Sequence, residues 1–170
     1  MNLIIDIGNT NTKIAVFEHD NIIEMDIFNA ENTTEAINKF LSKYKALNNA
    51  IISNVSSINN STLINKISLN KIYFLSDKLK LPFNNMYESE ETLGSDRKAL
   101  ASAVIKHYSN NNVLIIDAGT CITTDFIDAS GNYHGGSISP GINMRYSALG
   151  EKTSNLPKLE RKYPSHIFGS

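Results

Sequence analysis

The sequence predicts an α/β fold built from two lobes that begin alike. The letters LIID, followed by a polar turn that contains a glycine, occur at residues 3–6 and again at residues 114–117. Each copy opens a predicted meander of three strands, and helical patterns separate the two copies. Two long halves that start with the same motif indicate an internal duplication rather than a solenoid of short repeats.

The first half predicts the element order β-β-β-α-β-α-β. Apolar positions alternate with polar ones in its strands, and apolar residues from Ile37 to Leu47 recur at the spacing of an amphipathic helix. A second, weaker helical pattern follows. The predicted strands are residues 3–5, 13–17, 22–28, 50–53 and 71–75, and the weaker helix is residues 61–69.

The second half repeats the opening meander after a long connection. Residues 80–96 are polar and irregular, and a helical pattern then starts at Arg97. Strands are predicted at residues 113–117, 122–127 and 133–139, and a further helix at residues 142–149. We therefore expect an N-terminal lobe with a bridging helix at residues 1–110 and a C-terminal lobe at residues 111–170.

The composition excludes several classes of protein. The net charge of −1 over 170 residues gives no electrostatic footprint for nucleic acid or for an anionic membrane. The apolar runs are too short to span a bilayer. The single cysteine, Cys121, permits no internal disulfide and favours a reducing, cytoplasmic location. The four histidines have no metal-ligand spacing.

The repeated turn has the chemistry of a phosphate site. Asp6 and Asp117 end their strands, and Gly8 and Gly119 permit close approach of a ligand. Lys13 adds a positive charge after the first turn, and Mg²⁺ between Asp6 and a phosphate, through waters, would remove the repulsion between the two anions. One such turn is more often structural, but two copies favour phosphate binding. The small polar residues are 9–12 in the first turn and Thr120, Thr123 and Thr124 in the second.

Four motifs in one order resemble the type III pantothenate kinase family. They are DIGNTNTK at residues 6–13, LGSDR at 93–97, DAGTCITTD at 117–125 and GGSISPG at 135–141. The family lies within the acetate kinase, sugar kinase, heat-shock ATPase and actin superfamily. The resemblance implies two duplicated actin-like, ribonuclease H-like lobes. It also implies transfer of the ATP γ-phosphate to pantothenate, which gives 4′-phosphopantothenate in the first step of coenzyme A biosynthesis.

The resemblance also assigns site residues. It places K⁺ or NH₄⁺ at Asp117, Mg²⁺ near Asp6, and a homodimer as the assembly. The ATP-binding residues would be Asp6, Ile7, Gly8, Asn9, Thr10, Asn11, Thr12, Lys13 and Thr120. The pantothenate-binding residues would be Tyr87, Gly94, Ser95, Asp96 and Arg97.

Asp96 has two interpretations. It stands just before a helical pattern, so it suits the N-cap position. A carboxylate can equally act as the base that accepts the proton of an attacking hydroxyl, and Arg97 beside it supplies a cation for an anionic substrate or for transition-state charge. The resemblance favours the base. Tyr87 likewise either contacts substrate or only packs a loop.

Two further features also have more than one interpretation. GGSISPG is either a tight strand-to-helix connection or a ligand contact, and Cys121 is either a small buried filler or a reactive thiol.

The C-terminal end of the sequence bears on how complete the second lobe is. The family pattern continues beyond FGS, residues 168–170, so we expect a second lobe that is incomplete and exposes apolar surface and a strand edge. Besides a pantothenate kinase, the sequence is compatible with a non-catalytic regulatory relative and with another small-molecule kinase of the superfamily.

Overall fold

The first sheet is built from the first half of the chain. The computed structural model describes residues 1–76 and 79–162. Its strands are β1 (Asn2–Ile7), β2 (Asn11–Glu18), β3 (Asn21–Asn29), β4 (Asn49–Asn54) and β5 (Lys71–Phe74). They lie in the order β3-β2-β1-β4-β5, in which β1, β2 and β3 form the predicted antiparallel meander and β4 and β5 run parallel to β1.

Two helices cover one face of this sheet. They are α1 (Thr33–Lys43) and α2 (Asn60–Ile64). Leu3 and Ile5 of β1 are fully buried beneath them, together with Ile37 and Phe40 of α1 and Leu63 of α2. The second helix is shorter than the predicted residues 61–69, because its serine, asparagine and β-branched residues have weak helix propensity.

The second sheet repeats the meander with one additional short strand. Its elements are β6 (Asn84–Asn85), β7 (Val113–Ala118), β8 (Cys121–Ile127) and β9 (Asn132–Pro140). They lie in the order β6-β9-β8-β7. The final described helix, α4 (Ile142–Lys152), follows β9 directly.

The remaining helix, α3 (Ser95–His107), joins the two sheets. It contacts β4 of the first sheet and β7 and β8 of the second. Ala101 and Val104 are buried, and both belong to the second hydrophobic core with Phe83, Ile127 and Tyr133. The helix therefore contacts both sheets.

The two copies of LIID lie in opposite environments. Leu3 and Ile5 are fully buried, whereas the matching Leu114 and Ile116 are 61% and 63% exposed. Within residues 1–76 and 79–162, no helix covers the face of the second sheet that carries Leu114 and Ile116, and β7 is an edge strand. The expected apolar surface and strand edge are therefore present in the described part. The FGS motif lies outside the described residues.

None of the helices in the described ranges has both the length and the apolar character needed to cross a membrane.

Candidate active site

The turn between β1 and β2 presents small polar side chains to solvent. Asn9, Thr10 and Asn11 are exposed. The Gly8 amide donates to the Asn11 carbonyl at 3.0 Å, and a β-carbon on Gly8 would lie only 3.1 Å from that oxygen. The turn is therefore tight, and its exposed groups are available to a ligand.

Two residues of the predicted ATP segment face the core instead. Ile7 and Thr12 are fully buried. The Thr12 hydroxyl bonds to the Thr33 hydroxyl at 2.5 Å, and Thr33 donates to the carbonyl of Ala30. In this structure the side chains of Ile7 and Thr12 therefore stabilise the turn and the start of α1, and only their backbone faces the turn.

The backbone of the GGSISPG motif packs against the second turn and holds it in place. The Gly141 amide donates to the Thr120 carbonyl at 3.0 Å. A β-carbon on Gly141 would lie 2.3 Å from both the Gly119 and the Thr120 carbonyl oxygens, a distance that no side chain tolerates. The motif thus forms a strand-to-helix corner that supports the turn, while Asp117 and Thr120 remain exposed. Cys121 is half-buried.

The two repeated turns meet. The hydroxyls of Thr10 and Thr120 are 2.9 Å apart, so the turns of the two lobes are joined by a hydrogen bond. A cavity of about 250 Å³ lies beside them, with apolar walls from β1, β4 and α3. Its polar lining consists of Asp6, Lys13, Ser53, Asp96 and Asp117.

Lys13 and Asp6 form an ion pair at the edge of this cavity. The Lys13 Nζ lies 3.5 Å from Asp6 Oδ2, and both side chains retain substantial exposure. An exposed pair of this kind contributes little to stability, so both groups can exchange partners when an anion and a cation arrive. The pair therefore leaves both charges usable for a bound phosphate and its cation.

Asp96 lies in the first turn of α3 and does not cap it. The N-cap residue is Gly94, so the N-cap interpretation of Asp96 is wrong. Asp96 Oδ1 accepts a hydrogen bond from the Arg97 amide at 2.8 Å. A β-carbon on Gly94 would lie 2.5 Å from the same oxygen, so the absence of a side chain at Gly94 makes room for the carboxylate.

Ser95 fixes the helix start to the first sheet. Its hydroxyl lies 3.0 Å from the Ser53 hydroxyl and accepts from the Asn54 amide at 3.2 Å. Both partners belong to β4. The side chain of Ser95 therefore contacts protein, and it anchors the residue next to Asp96.

Arg97 is buried against the second sheet. Its Nε lies 3.0 and 3.1 Å from the two Asp125 carboxylate oxygens, and its Nη2 lies 2.5 Å from Oδ1. Burial opposes the guanidinium charge, but the hydrogen bonds to Asp125 prevail and raise the pKa of Arg97. Tyr133 donates its hydroxyl to Asp125 at 2.5 Å, and burial together with this bond raises the pKa of Tyr133.

Tyr87 packs over Arg97 and against a glycine of β9. Its ring centroid lies 5.8 Å from the guanidinium carbon. Gly135 has a φ of +81°, and a β-carbon there would lie 2.5 Å from the Tyr87 ring. Gly135 therefore makes room for the ring as well as adopting a backbone conformation that suits glycine.

The comparisons with known proteins agree with this geometry. The family model described as type III pantothenate kinase matches residues 2–170. The chain belongs to the type III pantothenate kinase family. Proteins named type III pantothenate kinase from Christiangramia forsetii and Phocaeicola vulgatus are 42% and 40% identical, each over 99% of this chain, and the chain covers 70% and 69% of them. The protein of that name from Flavobacterium johnsoniae is 36% identical over 99% of this chain and 69% of its own length.

Solved structures share the fold. One described as a putative 2-dehydro-3-deoxygalactonokinase from Sinorhizobium meliloti has a TM-score of 0.54 at 12% identity, over 90% of this chain and 57% of that one. A putative Baf family transcriptional activator from Campylobacter jejuni has a TM-score of 0.52 at 24% identity, over 96% of this chain and 68% of that one. At these identities the similarity bears on fold alone, and it confirms the predicted duplicated α/β fold.

Both turns carry oxygen atoms that have the chemistry of cation ligands. In residues 1–76 and 79–162, no three His, Cys, Asp or Glu side chains form a metal site by themselves. Asp117 lies directly opposite Thr123 in the β7–β8 pairing, so both project from the same face. The Thr123 hydroxyl is buried without a hydrogen-bond partner in the described part of the chain. These two oxygens and the Asp6 carboxylate are oxygen donors of the kind that hard cations prefer.

The buried residues that support the site are not apparent from the sequence motifs. Asp125 ends the motif DAGTCITTD, but the motif alone assigns it no role, and Tyr133 and Ser53 are missed as well. One signal is available for Asp125. It alternates with Thr123 and Ile127 in β8, and these positions face the core. A carboxylate at such a position requires a buried partner.

Proposed function

We propose that this chain transfers the γ-phosphate of ATP to pantothenate and so gives 4′-phosphopantothenate, the first step of coenzyme A biosynthesis. Membership of the family supports the substrates and the reaction. The observation that carries the proposal is the cavity that gathers Asp6, Asp96 and Asp117 beside two phosphate-type turns that touch. Phosphoryl transfer needs this combination of anion-binding turns, acidic cation ligands and an acceptor base.

The nucleotide phosphates would bind between the two turns. Asn9, Thr10 and Asn11 are exposed in the first turn, and Thr120 is exposed in the second. These groups donate hydrogen bonds to phosphate oxygens, and Lys13 adds a charge when it leaves Asp6. Ile7, Gly8 and Thr12 act through the backbone of the turn. Asp6 would hold Mg²⁺ through waters, and when bound the ion would offset phosphate charge.

The acceptor hydroxyl would be activated by Asp96. Its carboxylate lies in the same cavity as Asp6 and Lys13. It accepts the hydroxyl proton as the oxygen attacks the γ-phosphorus, and the bond from that phosphorus to the bridging oxygen breaks so that ADP leaves. Pantothenate lies along the segment of Gly94, Ser95, Asp96 and Arg97, with Tyr87 beside it. Because the turns hold the phosphate and α3 holds the base, the reaction is catalysed chiefly by positioning and charge.

A monovalent cation, K⁺ or NH₄⁺, would bind at Asp117. The exposed carboxylate and the unpartnered hydroxyl of Thr123 supply two oxygens on one face of β7 and β8. When bound there, the cation would supply positive charge beside Thr120 and the nucleotide. Three further expectations belong to the same proposal: the lobes divide at residue 110, the protein acts in the cytoplasm, and the active assembly is a homodimer.

The test is phosphorylation of pantothenate by ATP with Mg²⁺ and K⁺, compared between the wild type and Asp96→Asn. We expect the substitution to lower kcat by about 10²- to 10⁴-fold, because the base is lost while the shape is kept. Asp20→Asn, in the exposed turn between β2 and β3, is the matched control and should keep full activity.

Three outcomes would contradict the proposal. They are full activity in Asp96→Asn, turnover of a hexose in place of pantothenate, and ATP binding without any turnover by the wild type. The third would favour a regulatory role. Replacement of K⁺ by Na⁺ tests the monovalent cation separately. We expect the wild type and Asp20→Asn to lose activity to the same extent.

A further inference from the structure

We propose that Asp125 is a positioning residue that holds the base Asp96 in place through Arg97. In the same proposal, the guanidinium of Arg97 is held in place by Asp125. The inference rests on the proposed function, because it names how that site is held. It assigns a role to a residue that lies behind the cavity rather than in it.

The contact between Arg97 and Asp125 is buried and directional. The two residues are 5% and 1% exposed. The guanidinium reaches both carboxylate oxygens, and Tyr133 donates a further hydrogen bond to Oδ1. A carboxylate that accepts from three donors and a guanidinium engaged through two of its nitrogens hold each other in a fixed orientation. The side chain of Arg97 therefore cannot turn toward the cavity without exposing a buried, unpaired carboxylate.

The fixed side chain also fixes the base. Asp96 precedes Arg97, and the Arg97 amide donates to Asp96 Oδ1 at 2.8 Å. On the other side, Ser95 is bonded to Ser53 and Asn54 of β4. Asp96 thus stands between two anchored neighbours, one attached to each sheet. A shift in either anchor moves the carboxylate relative to the two turns.

In the competing interpretation Asp125 only stabilises the fold, and this interpretation predicts different kinetics. Removal of one partner of a buried ion pair leaves an uncompensated charge and destabilises a protein in either case. Misplacement of a catalytic group by about 1 Å costs about 100-fold in rate without weakening substrate binding. A counter-ion of the substrate would instead change KM. The division of the effect between kcat and KM therefore distinguishes the roles.

The experiment compares Asp125→Asn with Asp128→Asn in the full chain. Asp128 lies just beyond the end of the same strand, in a turn where it contacts His134 and Asn132, and it has no part in the site. For Asp125→Asn we expect kcat to fall by about 10- to 100-fold while KM for pantothenate changes by less than about threefold. Asp128→Asn should match the wild type in both.

Amide hydrogen exchange gives a second measurement that does not depend on turnover. In Asp125→Asn we expect exchange at residues 95–101 to become at least about tenfold faster, with a clearly smaller increase in β1 and β2, because the first turn of α3 loses one anchor. Tyr133→Phe removes only one donor to Asp125, so it should give the same pattern at smaller amplitude. That variant also keeps the test usable if Asp125→Asn fails to fold.

Each outcome has a defined meaning. Unchanged exchange at residues 95–101, or a rise in KM with kcat preserved, would overturn the positioning role. Exchange that is accelerated equally over the whole chain would overturn it, and would show that Asp125 only stabilises the fold. A wild type without turnover would contradict the proposed function alone, and the exchange measurement would still decide whether Asp125 anchors the first turn of α3.

Discussion

Two glycines shape the candidate site because neighbouring side chains occupy the space that a β-carbon would fill. At Gly94 the space is taken by the carboxylate of Asp96, and at Gly135 it is taken by the ring of Tyr87. Both neighbours are side chains of the acceptor region rather than backbone. A side chain added at Gly94 would therefore move a functional group before it disturbed the fold, whereas one added at Gly135 would also strain the backbone.

Gly94→Ala tests this reasoning at the residue scale. The new methyl group would lie 2.5 Å from Asp96 Oδ1, and because the carboxylate is the mobile end of a side chain, it would move aside. We expect kcat to fall by about 10- to 100-fold, while the free energy of unfolding changes by less than about 1 kcal/mol. Steady-state kinetics and urea unfolding measure the two quantities.

Gly150→Ala in α4 is the matched control for that substitution. Its added methyl group meets mainly the Lys158 side chain, away from the cavity, so kcat should not change. A Gly94→Ala variant that unfolds easily but turns over normally would show that Gly94 serves the backbone rather than the base.

At the scale of elements, the repeated strand shows that environment rather than sequence sets the energetic role of a residue. Ile5 and Ile116 occupy equivalent positions in LIID, yet one is fully buried and the other is 63% exposed. The difference arises because α1 and α2 cover the first sheet, whereas the matching face of β7 is open in the described residues.

The same substitution at both positions should therefore have unequal costs. Ile5→Ala should lower the free energy of unfolding by about 2–5 kcal/mol, because it leaves a cavity in a closed core. Ile116→Ala should lower it by less than about 1 kcal/mol, because solvent already reaches the side chain. Urea unfolding of the two single variants measures both, and equal losses would show that the outer face of β7 is covered in solution.

Hydrophobic patterning predicted the strands and helices well because burial on one face is a local signal. The burial of Thr12 can be predicted in the same way, since it alternates with the buried Ile14 and Val16 in β2. The pairing of Arg97 with Asp125 cannot be predicted from the sequence pattern, because it joins a helix and a strand that are distant in the sequence. The turn at residues 9–11 was predicted from composition, and its contact with Thr120 follows only from the meeting of the two lobes.

At the scale of the whole molecule, one buried polar cluster connects α3 to the second sheet. Arg97 comes from α3, Asp125 from β8 and Tyr133 from β9. Burial and the bond to Asp125 raise the pKa of Tyr133 above its ordinary value. The cluster therefore links the protonation of one hydroxyl to the stability of the fold.

The sign of this linkage predicts a loss of stability in alkali. Below the unfolded tyrosine pKa of about 10, both states hold the Tyr133 proton, and its contribution is fully present. Above that pH the unfolded chain releases the proton while the folded chain keeps it, so the free energy of unfolding falls as pH rises. Unfolding in urea between pH 8 and about 11 should show this decline.

Tyr133→Phe should make the alkaline decline shallower. It should not abolish it, because the bond to Glu24 also raises the pKa of Tyr44. Tyr108→Phe, at an exposed side chain, is the matched control and should decline as the wild type does. Identical slopes in all three proteins would mean that Tyr133 is not held by Asp125 in solution.

The corner at Gly141 has a consequence for how this scaffold can diversify. Its backbone lies against the carbonyl oxygens of Gly119 and Thr120, so any change in the path of the second turn on that side would displace the start of α4 as well. At Gly8 the close neighbour of an added β-carbon is instead the Asn11 oxygen of the same turn. A change in the second turn should therefore disturb a neighbouring helix, whereas a change at Gly8 should first disturb the first turn itself, although the two turns carry one motif.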